Sequence, residues 1–283
     1  MAFSYPFMKA RRDHQHFSGD TSSAFRPFLP SDLMAIAGPL SVEKAVHMQG
    51  HMGVDDPSEE TAWLQSVADA DGKPDGIVAF ARLDDSKVEQ VLEAHAAYPN
   101  HRGIRHSINW HPDRFYSMAD RPDYLTDPAW QRGYALLDRF GMSFDLQIFP
   151  HQLEDSYALA AQHPGVPLII QHCGFPIDRS PDGMALWRTG MAKMATLPNT
   201  VVKLSALVIM DHEWSRESLL PIIRETVDIF GPDRALFASN YPVDGTYIGY
   251  RDWVAVVNDA LDQFGPTERG AIFYTNACRT YRL

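Results

Sequence analysis

The sequence predicts an α/β fold, and within that class a single (β/α)8 TIM barrel forming one domain over residues 1–283. Three observations carry this expectation. Strand-like and helix-like segments alternate along the chain. Polar side chains gather at the C-terminal ends of the strand-like segments, where such barrels keep their chemistry. A chain of 283 residues with 45% apolar content has the usual length of one barrel and enough apolar residues for its core. The competing arrangement is an open doubly wound sheet. A Gly-rich nucleotide loop after the first strand would favour it, and no such loop is there.

In order, the first strand is read at Ala10–Phe17, followed by a loop through Phe25-Arg26-Pro27 and a short helix starting at Ser31-Asp32. Ala45–Gln49 is the second strand. Asp56-Pro57-Ser58-Glu59-Glu60 opens a helix, with Pro near the first turn and acids at the positive end of the dipole. Gly76–Leu83 is an uninterrupted apolar run, as expected for a buried parallel strand. Ser86–Tyr98 is a helix stopped by Pro99, and Gly103–Ile108 is the fourth strand. A polar loop, His111–Asp127, follows. Pro128–Phe140 is a helix ended by Gly141, then come strand five at Met142–Phe149 and a helix after Leu153. Pro167–His172 is strand six, Met184–Leu197 a helix, and Thr200–Leu204 strand seven. Ser215–Phe230 is a helix ended by Gly231-Pro232, and Arg234–Ser239 is strand eight. Tyr250–Phe264 is the last main helix and Asn276–Leu283 a closing piece. Neither a linker nor an internal repeat is evident.

Bulk properties narrow the function. A formal charge of −11 disfavours nucleic acid and anionic membrane as partners. No apolar run is long enough to span a membrane. Met1–Ala10 lacks the continuous apolar core of a signal peptide. Cys173 and Cys278 fit neither a disulfide nor a metal spacing, so a reducing cytoplasm is the default location. The expected partner is a small molecule, and a local basic pocket would admit an anionic one despite the global charge. A homodimer is left open.

His14 and His16 are two apart on an extended segment, so both imidazoles face one side. That pair suits a divalent metal such as zinc or manganese, or two hydrogen-bond donors to a substrate. Other strand ends add His47 and Gln49, Arg105 with His106, Asp145 and Gln147 with His151 just beyond, His172, Lys203 with Ser205, and Asn240 followed by Tyr241. Core packing does not account for so many polar strand ends, because an unpaired buried polar group costs about 1–3 kcal/mol. Arg105, Gln49, Gln147, His151, Lys203 and Tyr241 are read as substrate contacts. Arg105 is suited to gripping a carboxylate. Of Arg105 and His106 one faces outward by alternation. Asp145 lies deeper than Gln147 on the same face. Cys173 points opposite to His172, toward the helix layer. Trp63, Trp130, Trp187, Trp214 and Trp253 are read as packing between helices and barrel.

His14-x-His16, Gln171-His172-Cys173-Gly174-Phe175-Pro176, Val202-Lys203-Leu204-Ser205-Ala206-Leu207 and Phe237-Ala238-Ser239-Asn240-Tyr241-Pro242-Val243-Asp244 together resemble the amidohydrolase-related branch of the amidohydrolase superfamily. That branch includes lactonases for 2-pyrone-4,6-dicarboxylate and for sugar lactones, and more distant relatives decarboxylate aromatic acids. The likeness extends to Asn276-Ala277-Cys278-Arg279-Thr280-Tyr281. It implies that His14, His16 and His172 are metal ligands, or donors that polarise a carbonyl in metal-free members. It also implies an Asp at the end of strand eight, acting as general base to a water. This chain has Asn240 there, and an amide is no general base at neutral pH. Asp145 and Asp244 are the nearby carboxylates. The expected activity is hydrolysis of a small lactone, with His172, Asn240, His14 and His16 catalytic. The alternatives are a metal-dependent lyase acting on an aromatic acid, and a ligand-binding homologue without catalysis.

Overall fold

The structure, a computed structural model, describes residues 16–24, 26–50 and 56–283. Seven parallel strands run in chain order, each hydrogen-bonded to the next: β1 Val46–Met48, β2 Gly76–Phe80, β3 His101–Ser107, β4 Ser143–Gln147, β5 Leu168–Ile170, β6 Thr200–Leu204 and β7 Ala235–Phe237. α1 (Pro30–Ala37) precedes β1. α2 (Ser58–Asp71), α3 (Val88–Ala96), α4 (Pro128–Arg139), α5 (Leu153–Gln162), α6 (Pro181–Ala195), α7 (Arg216–Phe230) and α8 (Tyr250–Ala260) each follow one strand, and α9 (Pro266–Gly270) and α10 (Asn276–Tyr281) close the chain. The second to eighth expected strands are therefore all present, in the expected order. The first expected strand, Ala10–Phe17, falls mostly outside the described residues. Its last two residues form a turn rather than a strand, with the Gly19 N–H donating to the His16 carbonyl at 2.9 Å. Among the described residues β1 and β7 are the sheet edges. No helix of the described residues is long and apolar enough to cross a membrane.

Local chemistry sets the helix starts. Asp127 accepts from the Ala129 N–H at 2.8 Å ahead of Pro128, and Ser180 accepts from the Gly183 N–H at 3.1 Å ahead of Pro181. The predicted Ser31-Asp32 start lies one residue inside α1, where Asp32 reaches back to the Leu29 N–H at 2.8 Å. Gly133 lets α4 lie against the chain after β2, because a Cβ there would sit 2.0 Å from the Leu83 carbonyl oxygen.

The pleat sorts side chains into two layers. Phe144, Leu168, Ile170, Val202 and Leu204 join the main core between sheet and helices, with Trp130, Trp187 and Trp253 fully buried among them. The three indoles also tie helices to the sheet. Trp130 donates to His106 Nδ1 at 3.1 Å, Trp187 to the Cys173 carbonyl at 2.7 Å and Trp253 to the Ala238 carbonyl at 2.9 Å. His106 is thus the outward member of the Arg105–His106 pair. Trp214 lies just before α7 and donates to the Tyr247 carbonyl at 3.1 Å. The opposite, inner face carries a smaller cluster of Val78, Ile169, Leu236 and Tyr281.

Buried histidines couple this fold to pH. Burial pushes His106 down to about 4 and His101 down to about 3 from the ordinary 6.5. Both stay neutral when folded and bind protons more readily when unfolded, so their contribution is full above pH 6.5 and is lost as pH falls toward 4. Each contributes on the order of 3 kcal/mol. Buried Asp244, raised to about 8, works in the opposite sense: its contribution is full below the unfolded value of 3.8 and is lost as pH rises through about 8. The histidines outnumber it, so the urea midpoint should fall steeply from pH 6.5 to pH 4. A flat profile over that range would contradict their placement.

Candidate active site

Three neighbouring strands end in left-handed backbone. The chain leaves β5 through His172 (φ 57°), Cys173 (φ 53°), Gly174 (φ 73°) and Phe175 (φ 52°), leaves β6 through Ala206 (φ 57°) and leaves β7 through Asn240 (φ 51°). Left-handed backbone costs a non-glycine residue about 1–2 kcal/mol, least for Asn. Such strain persists where surrounding contacts hold it, and it concentrates at functional sites. Here the Gly174 N–H donates to the Gln171 carbonyl at 2.9 Å, the Phe175 N–H to the His172 carbonyl at 3.0 Å and Trp187 to the Cys173 carbonyl. Cys173 is fully buried and burial pushes its thiol up to about 11; the Thr226 hydroxyl of α7 is beside it, so it faces the helices as alternation predicts.

His172 is the best-defined group at the mouth. It is 5% exposed, and its Nδ1 lies 2.8 Å from Ser205 Oγ. Ser205 is fully buried, and among the described residues His172 is the partner its hydroxyl has. A buried hydroxyl proton needs an acceptor, so Ser205 donates to Nδ1 and the His172 proton sits on Nε2. Burial, reinforced by Arg105 and Lys203, holds the ring well below its usual value, so it is neutral at pH 7. His16 follows the same pattern. The Ser18 backbone N–H donates to its Nδ1 at 3.3 Å and the Ser18 hydroxyl lies 2.8 Å from the same atom. A nitrogen that accepts an N–H has no proton of its own, so this ring also carries its proton on Nε2. His14 lies outside the described residues.

Aromatic rings bring these elements together. Phe17 beside His16 packs edge-on to Phe175 at 5.9 Å and to Phe149 at 6.2 Å, and Phe175 packs edge-on to His172 at 4.9 Å. The Phe17 N–H donates to the Phe115 carbonyl at 3.0 Å, while Tyr247 donates to the Ser18 carbonyl at 2.8 Å. The segment from His16 thus spans the loops after β3 and β7.

Below the mouth lies a buried charge network. Asp145 Oδ1 accepts from Lys203 Nζ at 2.8 Å, Gln171 Nε2 at 2.6 Å and the Tyr281 hydroxyl at 2.7 Å. Lys203 is 5% exposed, and burial pulls its ammonium down while Asp145 opposes that shift. Lys203 is thus ion-paired with Asp145 below the mouth. Arg105 is placed in a similar way. Its Nη2 donates to the Gln49 carbonyl at 2.6 Å and its Nε is buried without a partner among the described residues. That bond links β3 to the residue that follows β1. Gln49 is buried, and its backbone carbonyl is the acceptor for Arg105. His47 is pushed down to about 4 by burial and by Arg105.

The remaining candidates ring the mouth. Gln147 donates to Asn109 Oδ1 at 3.2 Å. His151 is exposed, near Trp110 and His111 at ring distances of 6.5 and 6.0 Å. Tyr241 donates to the Ile248 carbonyl and walls a cleft of about 760 Å³ with Ser23, Arg26, Phe28 and Tyr250. Asn240, half-buried, donates from Nδ2 to Asp244 Oδ1 at 2.6 Å. Among the described residues no three His, Cys, Asp or Glu side chains cluster as a metal site would. Sequence reasoning missed Asn109 and Tyr281. Asn109 sits one residue beyond the fourth strand, a signal that was available. Tyr281 ends the Asn276–Tyr281 stretch included in the resemblance, but nothing in the sequence tied it to Asp145.

An uncharacterised protein, y4mH, of Sinorhizobium fredii is 36% identical over 265 residues, covering 94% of this chain and 89% of its own. An L-fucono-1,5-lactonase of Burkholderia multivorans is 28% identical over 272 residues, covering 91% of this chain and 87% of its own. A crystal structure of an amidohydrolase from Burkholderia multivorans with bound zinc superposes with a TM-score of 0.82 at 25% identity, covering 94% of this chain and 92% of its own. Residues 14–283 match the family described as Amidohydrolase, and the chain belongs to that family.

Proposed function

We propose that this protein hydrolyses a small lactone, a polyhydroxylated or carboxylated cyclic ester, at the mouth formed by His172 and Asn240. We propose further that the fold is a complete (β/α)8 barrel, a reading supported by the amidohydrolase family match over residues 14–283. The observation that carries the reading is the pinned, neutral His172, whose Nε2–H is left to a ligand. The lactonase relatives support the substrate class.

The chemistry follows from the hydrogen bonds. Nε2–H of His172 donates to the lactone carbonyl oxygen and stabilises the negative charge that grows there. Water adds to the carbonyl carbon, the ring C–O bond breaks and a proton from the water ends on the ring oxygen, giving the hydroxy acid. Asn240 is an acceptor for one proton of that water and orients it.

The described imidazoles do not fit a resident metal. A ligand nitrogen needs its lone pair, whereas both rings use Nδ1 as acceptor and hold the proton on Nε2. Binding a metal through Nε2 would leave the buried Ser205 hydroxyl without an acceptor. We therefore read His172 as a donor. Tag-free protein should hydrolyse L-fucono-1,5-lactone or L-rhamnono-γ-lactone in a pH-stat assay, and chelator treatment should leave the rate within about twofold. Absence of turnover across a lactone panel would defeat the hydrolytic reading. Loss of turnover on chelation, restored by about one equivalent of zinc or manganese, would defeat the metal-free one.

A further inference from the structure

We propose that Asp244 is a positioning residue of this site: from behind the end of β7 it clamps the Asn240 amide with its oxygen toward the mouth, and it pins the turn that follows Ser205. This rests on the hydrolytic reading above. It answers the question raised by the amide at the strand end, since the carboxylate expected there stands one hydrogen bond further back.

The geometry is closed on every side. Asp244 is fully buried, and it has two donors: Asn240 Nδ2 on Oδ1 at 2.6 Å and the Ala206 N–H on Oδ2 at 3.2 Å. Its own backbone is fixed in the short turn Val243–Thr246. There the Asp244 N–H donates to the Asn240 carbonyl at 3.2 Å, and the Tyr247 and Ile248 N–H groups donate to the Asp244 carbonyl at 2.9 Å each. An amide is planar, so fixing Nδ2 inward turns Oδ1 to the other side. Asn240 is half-buried whereas Asp244 is fully buried, so that other side is the accessible one.

The second arm reaches His172. Ala206 has left-handed backbone, and it directly follows Ser205, the donor to His172 Nδ1. One carboxylate thus holds the acceptor for the water directly and steadies the turn that selects the His172 tautomer. Asp244 touches neither substrate nor water in this scheme. Its effect passes through Asn240 and Ala206.

A reciprocal exchange tests this against a merely structural role. In Asp244→Asn one amide oxygen must serve two N–H donors, and its own NH2 meets one of them. In the double variant Asn240→Asp/Asp244→Asn every group finds a partner again, with donor and acceptor reversed between the two side chains. On the lactone that the wild type turns over, Asp244→Asn should lower kcat about 100-fold with little change in KM, the usual result of a misplaced reacting group. The double variant should recover most of that loss. Wild-type kcat in Asp244→Asn would overturn the proposal, as would a folded double variant no faster than the single one. If Asp244→Asn does not fold, the double variant carries the test. A second readout needs no turnover. The side-chain amide protons of Asn240, assigned by their loss in Asn240→Asp, should be widely separated in a 15N–1H spectrum and should move in Asp244→Asn. Unmoved signals would overturn the clamp even if lactone hydrolysis stands. A wild type inactive on every lactone would overturn the hydrolytic reading and leave these signals to decide the clamp.

Discussion

His172→Asn is expected to lower kcat/KM for the lactone about 100- to 1,000-fold, the range found when one preorganised oxyanion donor is removed. Asparagine is a suitable replacement because it tolerates the left-handed backbone (φ 57°) that histidine adopts there. The fold should therefore survive and the loss report chemistry. Ser205→Ala should follow with a smaller loss, because it removes the Nδ1 partner and frees the ring to hold its proton on the wrong nitrogen. The sign of the pH effect is set as well. The ring's depressed value keeps it neutral from pH 7 downward to well below 6.5, so kcat/KM should show no inflection from His172 near 6.5. Steady-state kinetics of both variants between pH 5.5 and 8 would check this. A His172→Asn enzyme within about tenfold of the wild type would remove His172 from the reaction.

The second large effect concerns stability. Lys203→Met should lower the free energy of unfolding by about 3–5 kcal/mol, because it leaves Asp145 charged and fully buried without its cation. Gln171 and Tyr281 would still donate to Asp145 Oδ1 but would not neutralise it. The double variant Lys203→Met/Asp145→Asn should recover much of the loss, since a neutral amide oxygen can still accept from both donors. Equilibrium urea denaturation of the three proteins measures this, with the pairwise term read from the cycle. A Lys203→Met protein as stable as the wild type but with a strongly raised KM would return Lys203 to the substrate-binding surface.

Strands were legible because buried parallel strands are short apolar runs set between helix starts. Gly76–Phe80 and Leu168–Ile170 are fully buried along their length, as their composition requires. The helix start at Pro128 was legible, whereas α6 begins at Pro181, three residues before the expected Met184, because Ser180 caps it locally. Period-2 alternation put Arg105 and His106 on opposite faces, and the Trp130 bond to His106 shows which one faces the helices. The strand-end motifs were enough to imply the family that residues 14–283 match.

What those residues do at their positions was decided by partners distant in sequence. Lys203 and Arg105 look the same on the page whether they grip a substrate or brace a sheet. In the folded chain Lys203 meets Asp145, 58 residues away, and Arg105 meets the Gln49 carbonyl, 56 residues away. The reason is desolvation: a buried cation must have its compensation within hydrogen-bond reach, and only the folded chain shows what stands there. The same holds for the histidines. Sequence alone determined which strands end in imidazole, but whether a ring offers a proton or a lone pair depends on its other nitrogen. For His172 that is set by Ser205, 33 residues on, across the gap between two strand ends.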